Sequence, residues 1–256
     1  MAHKTLINGT AYEISGGRTL VNGTGYAIGK GKTLVSGTAY EVGFGTAIGS
    51  LPLGTTVPLK INGSSRDFII VHQGLPSSAY DSSCNGTWLL MKDCYEQVII
   101  DNDSSAYGSS DIHNYLNNTF FNLFDTEVRG AIKQVKVPYC TTPNREGENV
   151  ANGSNGLTTK VFFLSLTEVG LYKRYSDASH SPIEGSVLGY FNGVSDSTRI
   201  ATFNGSAVYW WTRTPVLTDL IGAVNKKGAF ANALYNYTSV SMYSRPAIIL
   251  PSEFEV

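Results

Sequence analysis

Residues 209–215 read YWWTRTP, and a second apolar stretch, RPAIILP, occupies residues 245–251 near the C-terminus. Aromatic and β-branched side chains are enriched in strands, so both stretches predict buried β-strands. Pro251 has no backbone N–H to donate and is expected to end the second strand. We therefore expect these two strands to be the framework of the C-terminal part of the chain.

The segment between these strands has a different amino-acid composition. Residues 216–243 mix large apolar side chains with Asn, Ala and Ser, without the clean alternation of a half-buried strand. Tyr235, Tyr237 and Phe230 fall within it, and antibody paratopes have this composition because Tyr supplies rigid contact area while Ser and Asn adapt their hydrogen bonds. The segment therefore predicts an exposed binding face. Packing against the protein's own core is the alternative, and it stays open for Phe230 and Tyr243.

The chain upstream predicts a mixed α+β domain with long loops. VPLKING and RDFIIVHQG indicate a strand pair around Asn62-Gly63, and GTWLLM, residues 95–100 and KVFFLS indicate further strands. SDIHNYLNNTFFNLFD predicts a helix capped by Ser110 or Asp111, and a shorter helix is expected to follow with Thr126 as its cap. The polar residues 141–156 predict a surface loop.

The N-terminus carries one pattern three times. KTLINGTAYEI, RTLVNGTGYAI and KTLVSGTAYEV begin at Lys4, Arg18 and Lys32. Asn-Gly and, more weakly, Ser-Gly between short β-favouring runs indicate two-residue hairpin turns. We predict three small hairpins that serve anchoring or assembly, with a partly ordered tail as the alternative. The domains are accordingly expected to be 1–48, repeats and linker, and 49–256.

Composition narrows the function classes. The chain has 256 residues, a net charge of −1 and only 15% charged residues, which argues against nucleic-acid binding. No apolar run has the roughly 20 residues that span a bilayer, and no signal peptide is recognisable, so we expect synthesis in the cytoplasm without membrane insertion. The three cysteines are expected to be free thiols.

Motifs for catalysis and metal binding are not found. The four histidines are scattered, with neither an HExxH pair nor a GxSxG elbow. Residues 101–112 begin like a calcium loop, but Ala106 and Ile112 stand where an EF-hand needs Gly and Glu. An irregular calcium site there stays open. We therefore predict no catalytic residue, no metal ligand and no cofactor.

Several motifs together carry a resemblance to a known family. YDSSCNGTWLLMKDCYE, SDIHNYLNNTFFNLFD, RGAIKQVKVPY, YWWTRTP and SRPAIILPS resemble a bacterial and phage domain family of the C-type lectin fold. That family includes the variable proteins of diversity-generating retroelements. The resemblance covers residues 51–256, and the repeats look like those preceding such domains in tail-associated proteins from phages and prophages of Gram-positive gut bacteria.

The resemblance implies a C-type lectin-like fold whose C-terminal region displays a diversifiable surface. Trp210, Trp211, Arg213, Arg245 and Pro246 would belong to its scaffold. The implied ligand-binding residues are Leu217, Asp219, Leu220, Phe230, Asn232, Leu234, Tyr235 and Tyr237.

The function that the resemblance implies is a non-enzymatic receptor-binding protein of a phage or prophage particle. Its ligand would be a host-surface protein or glycan, and its repeats would bind other virion proteins and support a homo-oligomer, a trimer being favoured. One alternative is a structural decoration or tail protein of the virion without an external ligand. Another is an oxidase of the formylglycine-generating type, which shares the broad fold, but Cys84, Cys94 and Cys140 do not match its active-site cysteines.

Overall fold

A computed structural model describes residues 3–7, 10–14, 18–21, 24–27, 30–35, 38–43, 45–102, 106–141, 149–172, 182–216, 220–234 and 242–256. For the strands within residues 3–43 and for Leu234, it describes the backbone alone. The chain divides into two compact units, Met1–Ala47 with Glu255–Val256, and Ile48–Phe254.

The N-terminal unit contains three two-stranded antiparallel sheets, one from each sequence repeat. The pairs use the same register, since Ile7 faces Thr10 in the first and Val21 faces Thr24 in the second. The third pair matches them, with Val35 facing Thr38. The strands are β1 (His3–Ile7), β2 (Thr10–Ile14), β3 (Arg18–Val21), β4 (Thr24–Ala27), β5 (Lys30–Val35) and β6 (Thr38–Gly43).

A four-stranded antiparallel sheet opens the second unit and contains the C-terminal strand at one edge. Its order is β19-β9-β8-β7. The predicted turn at Asn62-Gly63 is confirmed, and both residues have the positive φ (50° and 72°) that such a turn needs. The strands are β7 (Thr56–Ile61), β8 (Ser64–Gly74), β9 (Gly86–Met91) and β19 (Ala247–Leu250).

The YWWTRTP stretch lies in the long strand of a second, five-stranded sheet. The order is β14-β15-β16-β17, and β18 pairs with β15 in parallel. Trp210, Trp211 and Arg213 are completely buried, as expected of a framework strand. The strands are β14 (Ala201–Phe203), β15 (Ser206–Pro215), β16 (Leu220–Val224), β17 (Phe230–Leu234) and β18 (Met242–Tyr243).

The predicted helices are present but irregular. Helix α1 (Asp111–Tyr115) starts at Ser110, whose Oγ accepts from the His113 N–H at 3.2 Å, so this cap is confirmed. A π-helical turn and a 3-10 turn continue it to Leu123. Helix α2 (Thr126–Ala131) has Asp125 at its N-cap, so the expectation that Thr126 caps it was wrong.

Two predicted strands do not form. Residues 95–100 make only an isolated bridge between Gln97 and Tyr243, and residues 160–165 make one between Phe162 and Ala247. The second segment is buried, and side chains bond much of its backbone: Asn117 Oδ1 accepts from Lys160 and Val161, and Tyr107 Oη accepts from Phe163. Hydrogen bonds to neighbouring side chains thus replace most of those that an adjacent strand would make.

Two short antiparallel pairs complete the second unit. The structure is 19% helical and 37% strand, a mixed class with mostly sheet. None of the helices in the described residues has the length and hydrophobicity needed to cross a bilayer. The strands of the two pairs are β10 (Val135–Val137) with β13 (Leu157–Thr159), and β11 (Tyr139–Cys140) with β12 (Val150–Ala151).

Candidate functional site: a buried charge network and the hairpin beside it

A buried ion pair joins the five-stranded sheet of β14–β18, named here the C-terminal sheet, to a residue outside it. Arg213 on β15 binds Glu168 through two parallel contacts, Nη1 to Oε2 at 2.6 Å and Nη2 to Oε1 at 2.8 Å. Both side chains have 0% exposure. This two-point geometry is the strong form of an Arg–carboxylate contact.

The remaining polar atoms of the pair are also bonded. Arg213 Nε donates to the Pro138 carbonyl at 3.0 Å, and Tyr80 Oη donates to Glu168 Oε1 at 2.9 Å. The Ser165 N–H donates to Glu168 Oε2 at 2.9 Å. Because a fully bonded network rigidifies its surroundings, the Arg213 guanidinium is a structural group and does not face a ligand.

A second buried carboxyl lies in the same region. Glu184 accepts from the Cys140 N–H at 2.7 Å and from the Thr214 hydroxyl. Burial raises the pKa of this carboxyl, against the opposing effect of the Arg213 charge. Since Glu184 has no exposure, this carboxyl does not contact a substrate in this arrangement.

The expected binding residues divide into two groups. Leu217, Asp219, Tyr235 and Tyr237 lie outside the described residues. Leu220, Phe230, Asn232 and Leu234 all lie on the β16–β17 hairpin, where Leu220 pairs directly with Leu234.

On this hairpin, the residues of β16 are mostly buried, whereas the described side chains of β17 are partly or fully exposed. Strand β16 is buried on both faces, since Ile221 and Val224 have no exposure. Asn232 on β17 is exposed, whereas Leu220 and Phe230 are half-buried and pack partly against the core. The core interpretation of Phe230 thus describes a part of its surface, and its role in binding stays a prediction.

The hairpin rests closely on its surroundings. Gly222 faces the Leu166 side chain, which would lie 2.5 Å from a Cβ at this position. In the turn, Asn225 Oδ1 accepts from the N–H groups of Lys227 and Ala229, and Gly228 lies against the Asp196 carbonyl. The exposed positions of β17 are therefore held on a tightly packed base.

The histidines and the other residues that commonly bind metals are dispersed among the described residues. His72 Nδ1 accepts from the Gly189 N–H at 3.1 Å, and burial lowers the pKa of both His72 and His113. Within the described ranges, no three His, Cys, Asp or Glu side chains come together as a metal site.

The three cysteines are buried, and none of them is joined in a disulfide within the described residues. Burial raises the pKa of both Cys84 and Cys94 to about 12, so their reactive thiolate forms are scarce near neutral pH. We expect the native protein to react slowly with Ellman's reagent at pH 8, and the urea-unfolded protein to react rapidly at all three thiols. Rapid modification of any thiol in the native protein would contradict this burial.

Tyr80, Glu168 and Glu184 were not predicted from the sequence. Glu168 and Glu184 stand alone in short, mostly apolar segments, LTEVG and PIEGS, and such a position was the available signal for a buried carboxyl. Their partner could not be assigned, because Arg213 lies 45 residues from Glu168 along the chain.

Comparison with protein families gives a match over most of the chain. The family model described as "Domain of unknown function (DUF6273)" matches residues 85–252, which include Glu168, Glu184, Arg213 and the hairpin. No curated protein and no solved structure matches the chain.

Proposed function

We propose a function for this chain, which belongs to the DUF6273 family of unknown function, from the geometry of its C-terminal sheet. It is a non-enzymatic ligand-binding protein that presents the β16–β17 hairpin to its ligand. The observation that carries this proposal is exposed Asn232 beside half-buried Phe230 on the outer strand of a hairpin with a buried base.

Rigidity of the base supports the proposal. Preorganised contact residues lose little conformational entropy on binding, which favours affinity. The Glu168–Arg213 pair behind the sheet and the Gly222–Leu166 contact beneath the hairpin both restrict movement of the base. The arrangement therefore suits a protein that binds through side chains on its outer strand.

We further propose a C-type lectin-like fold for the second unit and a phage or prophage particle as its location. Two sheets of mostly antiparallel strands, short helices and long irregular segments are compatible with that fold. The choice of this particular fold rests on the sequence resemblance. The ligand class would be a protein or glycan on a bacterial surface.

The three N-terminal strand pairs would attach the chain to other virion proteins and assemble it, with a trimer favoured. Their common register supports one repeated docking element. Several copies held on one particle would raise the apparent affinity through effective concentration.

The test is binding of the labelled full-length chain to a panel of Gram-positive gut bacteria, measured by flow cytometry. Asn232→Arg places a bulky charge on β17, and we expect it to weaken binding at least about tenfold, as for other residues that dominate an interface. Asn155→Arg makes the same change at an exposed site outside this hairpin and should preserve binding. Equal binding by both variants would contradict the proposed face.

Sequence variation in the source population gives an independent test. Variation concentrated at residues 216–243 would support a diversified face. Uniform variation, together with no binding to any cell in the panel and retained binding to a virion protein through residues 1–50, would favour the structural decoration protein.

A further inference from the structure

A cavity of about 250 Å³ lies at the end of β9, in the first sheet of the second unit. Strand β8 pairs with β9 only from Phe68, which faces Met91, onward. The chain then turns away after the Lys92 N–H donates to the Asp67 carbonyl at 2.8 Å. The residues that line the cavity are Ser65, Arg66, Asp67, Met91, Asp93 and Cys94.

Arg66 occupies a position where the pattern of β7 and β8 calls for an apolar residue. It pairs with Leu59, which is buried, and pairs of this kind point to the same side of a sheet. Its guanidinium lies 5.8 Å from the centroid of the Tyr95 ring, a cation–π contact. Among the described residues, no oxygen accepts a hydrogen bond from this guanidinium, so its planar set of donors is available to a ligand.

The lining carries one arginine, Arg66, and two aspartates, Asp67 and Asp93. Asp67 pairs with Lys92, just outside the lining, at 3.4 Å. Arg245 is buried next to the lining and donates to the carbonyls of Met91 and Lys92 at 2.9 and 3.0 Å. Its hydrogen-bond acceptors in the described residues are all backbone carbonyls, so no carboxylate there accepts a hydrogen bond from it.

Further hydrogen-bonding groups lie beside Arg66. Asp93 Oδ1 accepts from the Thr202 hydroxyl, and its second oxygen has no partner among the described residues. The Ser65 hydroxyl is likewise exposed and unpartnered within them. Burial raises the pKa of Cys94 to about 12, so this thiol is neutral and adds no negative charge.

We propose that this cavity binds one carboxylate-bearing sugar residue, a uronic acid. Arg66 would hold the carboxylate through two parallel hydrogen bonds, the geometry that guanidinium groups favour. Asp93 would bond the ring hydroxyls. The volume lies below the roughly 300–1,000 Å³ of pockets for drug-sized ligands, which fits a single ring.

This site stands apart from the proposed binding hairpin. Its lining belongs to β8 and to the end of β9 and the turn that follows it, and none of its residues lies on β16 or β17. The inference therefore does not rest on the proposed function, and either one can fail without the other.

The test is titration of the ¹⁵N-labelled full-length chain with D-glucuronate, D-glucose, acetate and L-alanine, followed by amide chemical shifts. Glucuronate should bind with a Kd of about 1 mM, shifting the amides of residues 65–67 and 93–94, whereas the other three probes should bind at least about tenfold more weakly. Arg66→Gln should weaken glucuronate binding about tenfold or more. Arg129→Gln removes the same charge from a half-buried position on α2, away from the cavity, and should bind as the unchanged protein does.

Each other outcome overturns the proposal. Equal binding of glucose removes the role of the carboxylate, and equal binding of acetate shows a general anion site without sugar recognition. Equal binding of alanine points to an amino-acid site. Absence of shifts with glucuronate, or shifts away from the cavity, excludes the site. If Arg66→Gln does not fold, Arg66→Lys replaces it; it keeps the charge but cannot make two parallel hydrogen bonds to a carboxylate, and it should weaken glucuronate binding.

Discussion

Replacing Glu168 by Gln is expected to lower the free energy of unfolding by about 3–5 kcal/mol, the usual cost of breaking a buried ion pair from one side. The substitution keeps the shape of the side chain but leaves the Arg213 charge unpaired at 0% exposure. It also puts an amide N–H₂ where Glu168 accepted hydrogen bonds from Arg213, Tyr80 and Ser165. Urea denaturation followed by circular dichroism measures the loss.

The chain offers an exposed ion pair as the matched control. Asp67 and Lys92 are joined at 3.4 Å, with both side chains nearly half exposed. Asp67→Asn makes the same chemical change, and we expect it to cost less than about 1 kcal/mol because water screens such pairs. Similar losses for the two variants would show that the Glu168 pair is not isolated from water.

Replacing Gly228 by Ala is expected to lower the free energy of unfolding by about 2–5 kcal/mol, from backbone strain and overpacking together. Gly228 has a φ of +81°, a conformation that costs an L-residue energy. A Cβ at this position would also lie 1.7 Å from the Asp196 carbonyl oxygen, a backbone atom that cannot move aside without its helix. The change therefore acts on the base of the proposed binding hairpin.

Gly205 separates the two contributions. It has nearly the same φ, +79°, in the turn between β14 and β15, but a Cβ added there would meet nothing within 4 Å. Gly205→Ala should therefore show the backbone strain alone, about 1–2 kcal/mol. Urea denaturation measures both variants, and limited proteolysis detects local release of the hairpin. Equal losses and equal proteolysis would mean that the hairpin is not held against Asp196.

Local elements were predicted well because their causes are local. The β7–β8 hairpin follows from Asn62-Gly63, which supplies both positive φ angles of the turn. The start of α1 follows from Ser110, whose hydroxyl lies three residues from the N–H it caps. In each case the deciding interaction joins residues that are close in the chain.

The errors arose where distant residues satisfy the backbone. Residues 160–165 have the composition of a buried strand, but Asn117 and Tyr107 accept from their N–H groups in place of a neighbouring strand. The pattern of burial was therefore correct while the secondary structure was not. Composition reports that a segment is buried, but it does not report which groups will bond its backbone.

The candidate sites show the same division. The sequence indicated the segment that contains Asn232 through its mixture of aromatic and small polar residues. It did not indicate that β16 would be buried on both faces while β17 stays partly open, because exposure depends on what packs beside each strand. The cavity at Arg66 was missed for the same reason. It forms because the N-terminal end of β8 extends beyond the last residue of β9.

By itself, the sequence determined the framework strands β15 and β19 and the tight turn between β7 and β8. Side-chain preference and turn conformation act within a few residues, so they can be recognised without a structure. Only the tertiary structure decided that Glu168 would meet Arg213, that Arg66 would face Tyr95 at the end of a sheet, and that Asn232 would remain exposed. Those outcomes depend on contacts between segments far apart in the chain, where burial makes each unpaired charge costly and so selects the partner.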